Sequence, residues 1–139
     1  MLNIVVVSGY FDPLHVGHIE YLEKAKLLGD ELVVIVNNDV QAKIKKGKAF
    51  MREEDRLKII ESLRCVDSSL LSVDENKTVC KSLKKIKKAY PNDKVVFANG
   101  GDRKEKEIPE AAACRKLDIK MVDGLGEKIR SSSEYTGLK

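Results

Sequence analysis

The decapeptide GYFDPLHVGH, residues 9–18, holds both histidines of the chain. His15 and His18 stand at i and i+3, with Gly17 between them. A neutral imidazole has one N–H donor and one acceptor; a charged one has two donors. A pair at this spacing suits three tasks: capping a helix start, ligating a metal, or donating from both Nε atoms to a cluster of anionic oxygens. A transition-metal site draws on several protein ligands. The chain supplies no further histidine and no nearby cysteine, so a metal site here lacks ligands. The unsatisfied N–H groups and positive dipole end of a helix start favour a phosphate. A glycine there costs helix stability unless something must approach closely. Gly9 permits such an approach at the preceding turn, which Pro13 shapes. Simple capping by His15, with His18 packed in the core, stands open beside the phosphate reading.

Three other segments point the same way. NNDVQAKIKKGK and the residues after it concentrate Lys43, Lys45, Lys46, Lys48, Arg52 and Arg56 around Gly47. This reads as a polar loop over roughly residues 38–51, either a solvated basic loop or one that closes over a polyphosphate and excludes water. In NGGDR, Gly100 and Gly101 allow close backbone approach, and Asp102 offers a carboxylate to a ribose, a base or Mg²⁺. In GEKIRSSS, the hydroxyls of Ser131, Ser132 and Ser133 suit a helix N-cap beside Lys128 and Arg130; capping alone would also account for them. No Walker P-loop, no serine–histidine–carboxylate set and no general base pair is present. A collar of cations and hydrogen-bond donors is enough for phosphoryl or nucleotidyl transfer. There the attacking group is an ionised substrate phosphate, and catalysis is positioning plus charge stabilisation.

The elements that must position these segments follow from hydrophobic period. LNIVVV (2–7), ELVVIVN (31–37) and KVVFAN (94–99) are apolar, β-branched runs of the kind buried on both faces of a parallel sheet. SSLLSV (68–73) and IKMVDG (119–124) are weaker strands. Ile19, Leu22, Ala25 and Leu28 recur at helical spacing after residue 16, and Gly29 is expected to end that helix as a C-cap. Leu57, Ile60 and Leu63 mark a helix over Glu53–Leu63. Val79, Leu83, Ile86 and Tyr90 mark another over residues 76–90, whose six lysines read as a solvated outer face. Pro109 opens a further helix. Strand–helix alternation predicts one α/β domain over residues 1–139, a mostly parallel sheet with helices on both faces and right-handed crossovers. In such a sheet ligands bind beyond the carboxyl ends of the strands, where all four segments fall.

The 139 residues suffice for one core without staples. Cys65, Cys80 and Cys114, odd in number and widely spaced, read as buried free thiols. No apolar run approaches the ~20 residues of a membrane span, and MLNIVVV lacks a signal peptide's basic region, so a cytoplasmic protein is expected. The net charge of +4 suits a phosphorylated small substrate as well as a nucleic acid. Few aromatics and no groove-reading motif argue against nucleic acid.

GYFDPLHVGH resembles the G-x-F-D-x-x-H-x-G-H signature of the cytidylyltransferase-like nucleotidyltransferases. The lysine loop, REEDRLKIIESLRCVD, NGGD and the terminal serines follow in that family's order. Glycerol-3-phosphate cytidylyltransferases, heptose-1-phosphate adenylyltransferase domains and archaeal FAD synthetases are similar in pattern. The resemblance implies a Rossmann-like homodimer that transfers a nucleoside monophosphate, CMP preferred, from NTP to a phosphorylated small molecule. Pyrophosphate leaves, and Mg²⁺ bridges the NTP phosphates without a dedicated protein metal site. It implies that His15, His18 and Lys46 act on the triphosphate. Gly9, Tyr10, Phe11, Gly17, Gly101, Asp102, Lys128, Arg130 and Ser131 to Ser133 would bind nucleotide, and Lys45 and Arg56 substrate phosphate. Where glycerol-3-phosphate enzymes carry R-T-E-G-I-S-T-T, this chain has LGEKIRSSS, with Gly126 near the position of the leading arginine; Lys128 or Arg130 stands as its substitute. The alternatives are an ATP-dependent adenylyltransferase of heptose-1-phosphate or FMN type, and a non-catalytic nucleotide-binding module of the same fold.

Overall fold

The computed structural model describes residues 1–98 and 109–122. Five strands, β1 (Asn3–Gly9), β2 (Glu31–Val36), β3 (Ser68–Leu71), β4 (Lys94–Ala98) and β5 (Lys120–Val122), form one sheet in the order β3-β2-β1-β4-β5. Every pairing is parallel. The helices are α1 (Val16–Lys26), α2 (Asp39–Lys46), α3 (Glu53–Glu61), α4 (Cys80–Ala89) and α5 (Pro109–Leu117). This is the expected Rossmann-like α/β architecture. The strand order reverses between β1 and β4, which places a crevice beyond the carboxyl end of β1.

The strands are buried on both faces because each face has its own helices. Ile4, Val6, Val33, Ile35, Val95 and Phe97 pack with Leu83 and Ile86 of α4 and Cys114 of α5. Val5, Val7, Leu32, Val34 and Val36 pack with Leu22 and Ala25 of α1 and Ile60 of α3. Alternate residues of one strand therefore serve opposite layers, the period-two rule of a pleated strand. Of the three thiols, all free, Cys114 is buried and Cys65 and Cys80 are half-buried. No helix among the described residues is long and apolar enough to cross a membrane.

Three local expectations change. Residues 39–46 of the expected lysine loop are helical. Asn38 caps α2 in a reciprocal box with Gln41, Asp39 lies in its first turn, and Lys43, Lys45 and Lys46 lie in its last. Gly47, at φ 89°, closes it. The helix expected from residue 76 begins at Cys80, because the carbonyls of Asn76 and Thr78 accept hydrogen bonds from Gln41 Nε2 (2.7 and 2.8 Å). Gly29 is not the cap of α1, which ends at Lys26 with Leu27 as C-cap and leaves Leu28 44% exposed. The loop instead crosses β1 so closely that a Cβ on Gly29 would lie 2.7 Å from the Asn3 carbonyl oxygen.

Candidate active site

β1 ends at Gly9, and the chain turns through Tyr10–Leu14 into α1 at the crevice. His15 is the N-cap, in extended backbone (φ −141°, ψ 177°). Its Nδ1 accepts from the Gly17 N–H (3.1 Å), and His18 Nδ1 accepts from the His15 N–H (3.2 Å). This is a capping box in which two imidazoles take the places usually held by a hydroxyl and a carboxamide. The rings stack with centroids 3.9 Å apart, and Phe11 meets the His18 ring edge-on at 5.2 Å. With both Nδ1 atoms acting as acceptors, the proton of each neutral ring resides on Nε2, an assignment drawn from the hydrogen-bond geometry. Capping therefore does not exclude the phosphate reading of the sequence: Nδ1 caps, and the N–H of each neutral ring is on Nε2.

Gly9 serves the same loop from within. A Cβ on it would lie 2.8 Å from Phe11 Cζ, so its missing side chain makes room for the Phe11 ring. Phe11 is buried and takes a left-handed backbone (φ 52°). Lys45 Nζ lies 4.4 Å from the centroid of the half-buried Tyr10 ring. Burial pushes the Tyr10 phenol up against the opposing pull of Arg56.

Asp12 and the lysine segment meet directly. Asp12 is 1% exposed. Its Oδ2 accepts from the Phe50 N–H (2.8 Å) and its Oδ1 from the Met51 N–H (2.7 Å). Lys46 Nζ lies 2.7 Å from Asp12 Oδ2 and donates to the Asp12 carbonyl (3.0 Å). Burial alone would push the Asp12 carboxyl up, but the Lys46 ammonium and the two backbone N–H groups hold it below the ordinary carboxylate range.

Arg56, expected on substrate phosphate, is enclosed by protein. Its side chain is 0% exposed. Nε donates to the Met51 carbonyl (2.9 Å), Nη1 to the carbonyls of Tyr10 (2.8 Å) and Asn37 (2.6 Å), and Nη2 to Asp39 Oδ1 (2.6 Å). One guanidinium thus joins the β1 turn, the end of β2, the start of α2 and the segment before α3, the surroundings of a positioning residue. Beside it, Asp39 and Glu53 exchange caps: Asp39 N–H donates to Glu53 Oε1 (2.8 Å) and Glu53 N–H to Asp39 Oδ2 (3.2 Å). Tyr21 Oη donates to the Ala98 carbonyl (3.1 Å), tying α1 to the end of β4.

The structure therefore brings Gly9, Tyr10, Phe11, His15, Gly17, His18, Lys45, Lys46 and Arg56 to one end of the sheet. Gly101, Asp102, Lys128, Arg130, Ser131, Ser132 and Ser133 lie outside the described residues. Asp12, Asn37, Asp39 and Tyr21 were not anticipated; the aspartate inside GYFDPLHVGH and the N-x-x-Q spacing of Asn38 and Gln41 were the available signals. Among the described residues no group of three or more His, Cys, Asp or Glu side chains is placed to hold a metal ion.

Residues 6–135 match the family described as cytidylyltransferase-like. The chain is 36% identical over 134 residues to an FAD synthase of Thermoplasma acidophilum, covering 96% of this chain and 84% of that protein. It is 37% identical over 142 residues to the bifunctional protein HldE of Citrifermentans bemidjiense, covering 94% of this chain and 28% of that protein. Its fold is similar to the crystal structure of a lipopolysaccharide core biosynthesis protein from Thermoplasma volcanium, with a TM-score of 0.69 and 29% identity over 88% of this chain and 96% of that one.

Proposed function

Because this chain belongs to the cytidylyltransferase-like family and is a nucleotidyltransferase, we propose that it transfers AMP from ATP to the phosphate of a small-molecule acceptor. Adenylyl transfer replaces the cytidylyl preference drawn from the sequence. Two relatives that each align over 96% of this chain are called FAD synthases, and FAD is FMN joined to AMP through a pyrophosphate. An enzyme that builds it by attack of a flavin phosphate needs an adenosine donor.

The observation that carries the reading is the reciprocal histidine cap. It fixes the N–H of each imidazole on Nε2 at a helix N-terminus placed at the switch point of a parallel sheet. The acceptor phosphate is already ionised and needs no base. It attacks the α-phosphorus of ATP, the bond to the β-phosphate oxygen breaks, and pyrophosphate leaves. His15 and His18 donate to the triphosphate oxygens where charge gathers, and Lys46 adds an ammonium. Arg56 holds the three loops in register instead of touching substrate. A divalent cation such as Mg²⁺ would come with the nucleotide and neutralise its phosphate charge; Asp12 and Asp39 are already engaged with Lys46 and Arg56. The remaining expected nucleotide contacts, Asp102 and the 128–133 segment, stay part of this proposal, as do a single domain and a homodimer, the latter checked by sedimentation.

A pyrophosphate-release screen of ATP, CTP, GTP and UTP against FMN and a panel of sugar and polyol phosphates tests it. ATP with one acceptor class is expected to turn over. A preference for CTP would restore the cytidylyl reading. Nucleotide-dependent thermal stabilisation without turnover of any pair would favour a binding module.

A further inference from the structure

Lysines crowd residues 43–48, yet the fold treats them differently. Lys43, Lys45, Lys46 and Lys48 are all exposed as residues, but the Lys46 side chain is held to 28% exposure because its ammonium reaches Asp12 in the histidine loop. There it meets a carboxylate that is itself locked. Asp12 is buried and accepts from two consecutive backbone N–H groups, Phe50 and Met51, just past the end of the lysine segment. Asp12 therefore holds the segment at two places: by its ammonium at residue 46 and by its backbone at 50–51. Gly47 lies between them with a left-handed φ of 89° and open space where a Cβ would sit. A carboxylate with two charge-assisted backbone bonds stays in place when its ammonium partner swings away. An ammonium on a flexible stem swings readily.

We propose that Asp12 is the positioning residue for Lys46: it parks the ammonium at the mouth of the histidine loop before nucleotide arrives and releases it to the triphosphate, while its grip on residues 50–51 keeps the segment docked. The inference rests on the reading of Lys46 as a phosphate ligand. The low-lying carboxyl of Asp12 supports it, because the site keeps its negative charge throughout the neutral range.

The test is competitive amine acetylation of the full chain read by mass spectrometry, with and without MgATP. In the wild type Lys46 should label more slowly than Lys43 and Lys48. Asp12→Asn keeps the side-chain size and removes the charge. It should raise Lys46 labelling about fivefold, the population change that a lost ion pair of ~1 kcal/mol produces, and leave Lys43 unchanged. MgATP should protect Lys46 in the wild type and less so in the variant. Asp12→Ser, which retains an acceptor for one of the two amides, serves if the asparagine variant does not fold. Equal labelling of Lys46 and Lys48 in the wild type would overturn the inference, as would labelling indifferent to Asp12. If MgATP leaves Lys46 unprotected while the wild type turns over, the phosphate-ligand reading fails by itself and the release step with it. A turnover cycle supplies the second readout. The losses from Asp12→Asn and Lys46→Met should combine to less than their product, because part of the Asp12 effect runs through Lys46; fully independent, multiplying losses would show that Asp12 acts only as a structural group.

Discussion

Replacing Arg56 by methionine keeps much of the aliphatic stem and removes every donor. Three main-chain carbonyls, Met51, Tyr10 and Asn37, lose their partner at this site. A buried acceptor left without a donor costs about 1–3 kcal/mol. The Asp39 partner weighs less, because its side chain is 40% exposed and turns to water. Relief of the buried guanidinium's own desolvation offsets part of the loss. The net destabilisation is about 3–5 kcal/mol, a large share of the ~5–15 kcal/mol typical of a domain. At roughly 4 °C per kcal/mol for a chain of this length, the melting temperature should fall by about 12–20 °C. Urea denaturation followed by circular dichroism measures the first quantity and scanning calorimetry the second. Nucleotide titration below the variant's melting temperature separates the two roles open to Arg56. A variant that keeps its stability within about 1 kcal/mol and loses nucleotide or acceptor affinity would refute the positioning argument and return Arg56 to the substrate phosphate.

His15→Asn retains a good N-cap but loses the imidazole, so its unfolding free energy from urea denaturation should stay within about 1 kcal/mol of wild type while pyrophosphate release falls by about 10²–10³. Gly29→Ala should destabilise by about 1–3 kcal/mol in chemical denaturation, because its Cβ would meet the Asn3 carbonyl oxygen at 2.7 Å and Val5 Cγ2 at 2.8 Å. Burial opposes ionisation of Asp67, but hydrogen bonds from Lys26 and the Leu32 N–H hold its carboxyl below the ordinary value. Stability from such a depressed group is present above the unfolded value of about 4 and is lost as pH falls through the lower folded value. Urea midpoints measured from pH 6 down to about 3 should therefore fall less steeply for Asp67→Asn than for wild type.

The hydrophobic periods of this chain determine its layers. Val-rich runs separated by amphipathic stretches have few ways to bury themselves other than a parallel sheet covered on both faces, and the observed face-by-face alternation of residues 4–7 follows directly. The spacing of His15 and His18 was equally legible, since i and i+3 at a helix start is a local relation. The lysine segment was misread over residues 39–46 because its cap is a carboxamide pair, Asn38 with Gln41, hidden among residues whose charge drew attention to a loop. Gly29 was misread because a close approach by a distant strand leaves no trace in neighbouring residues. The division of labour among the cations belongs to tertiary structure alone. Lys46 and Arg56 carry the same sign and sit ten positions apart, yet one meets Asp12 at the rim and the other is closed in by four protein oxygens. Charge and spacing put both near the crevice. Which one can reach a phosphate depends on carbonyls and carboxylates brought in from β1, β2 and the segments around α2, and that partnership exists only once the sheet has assembled.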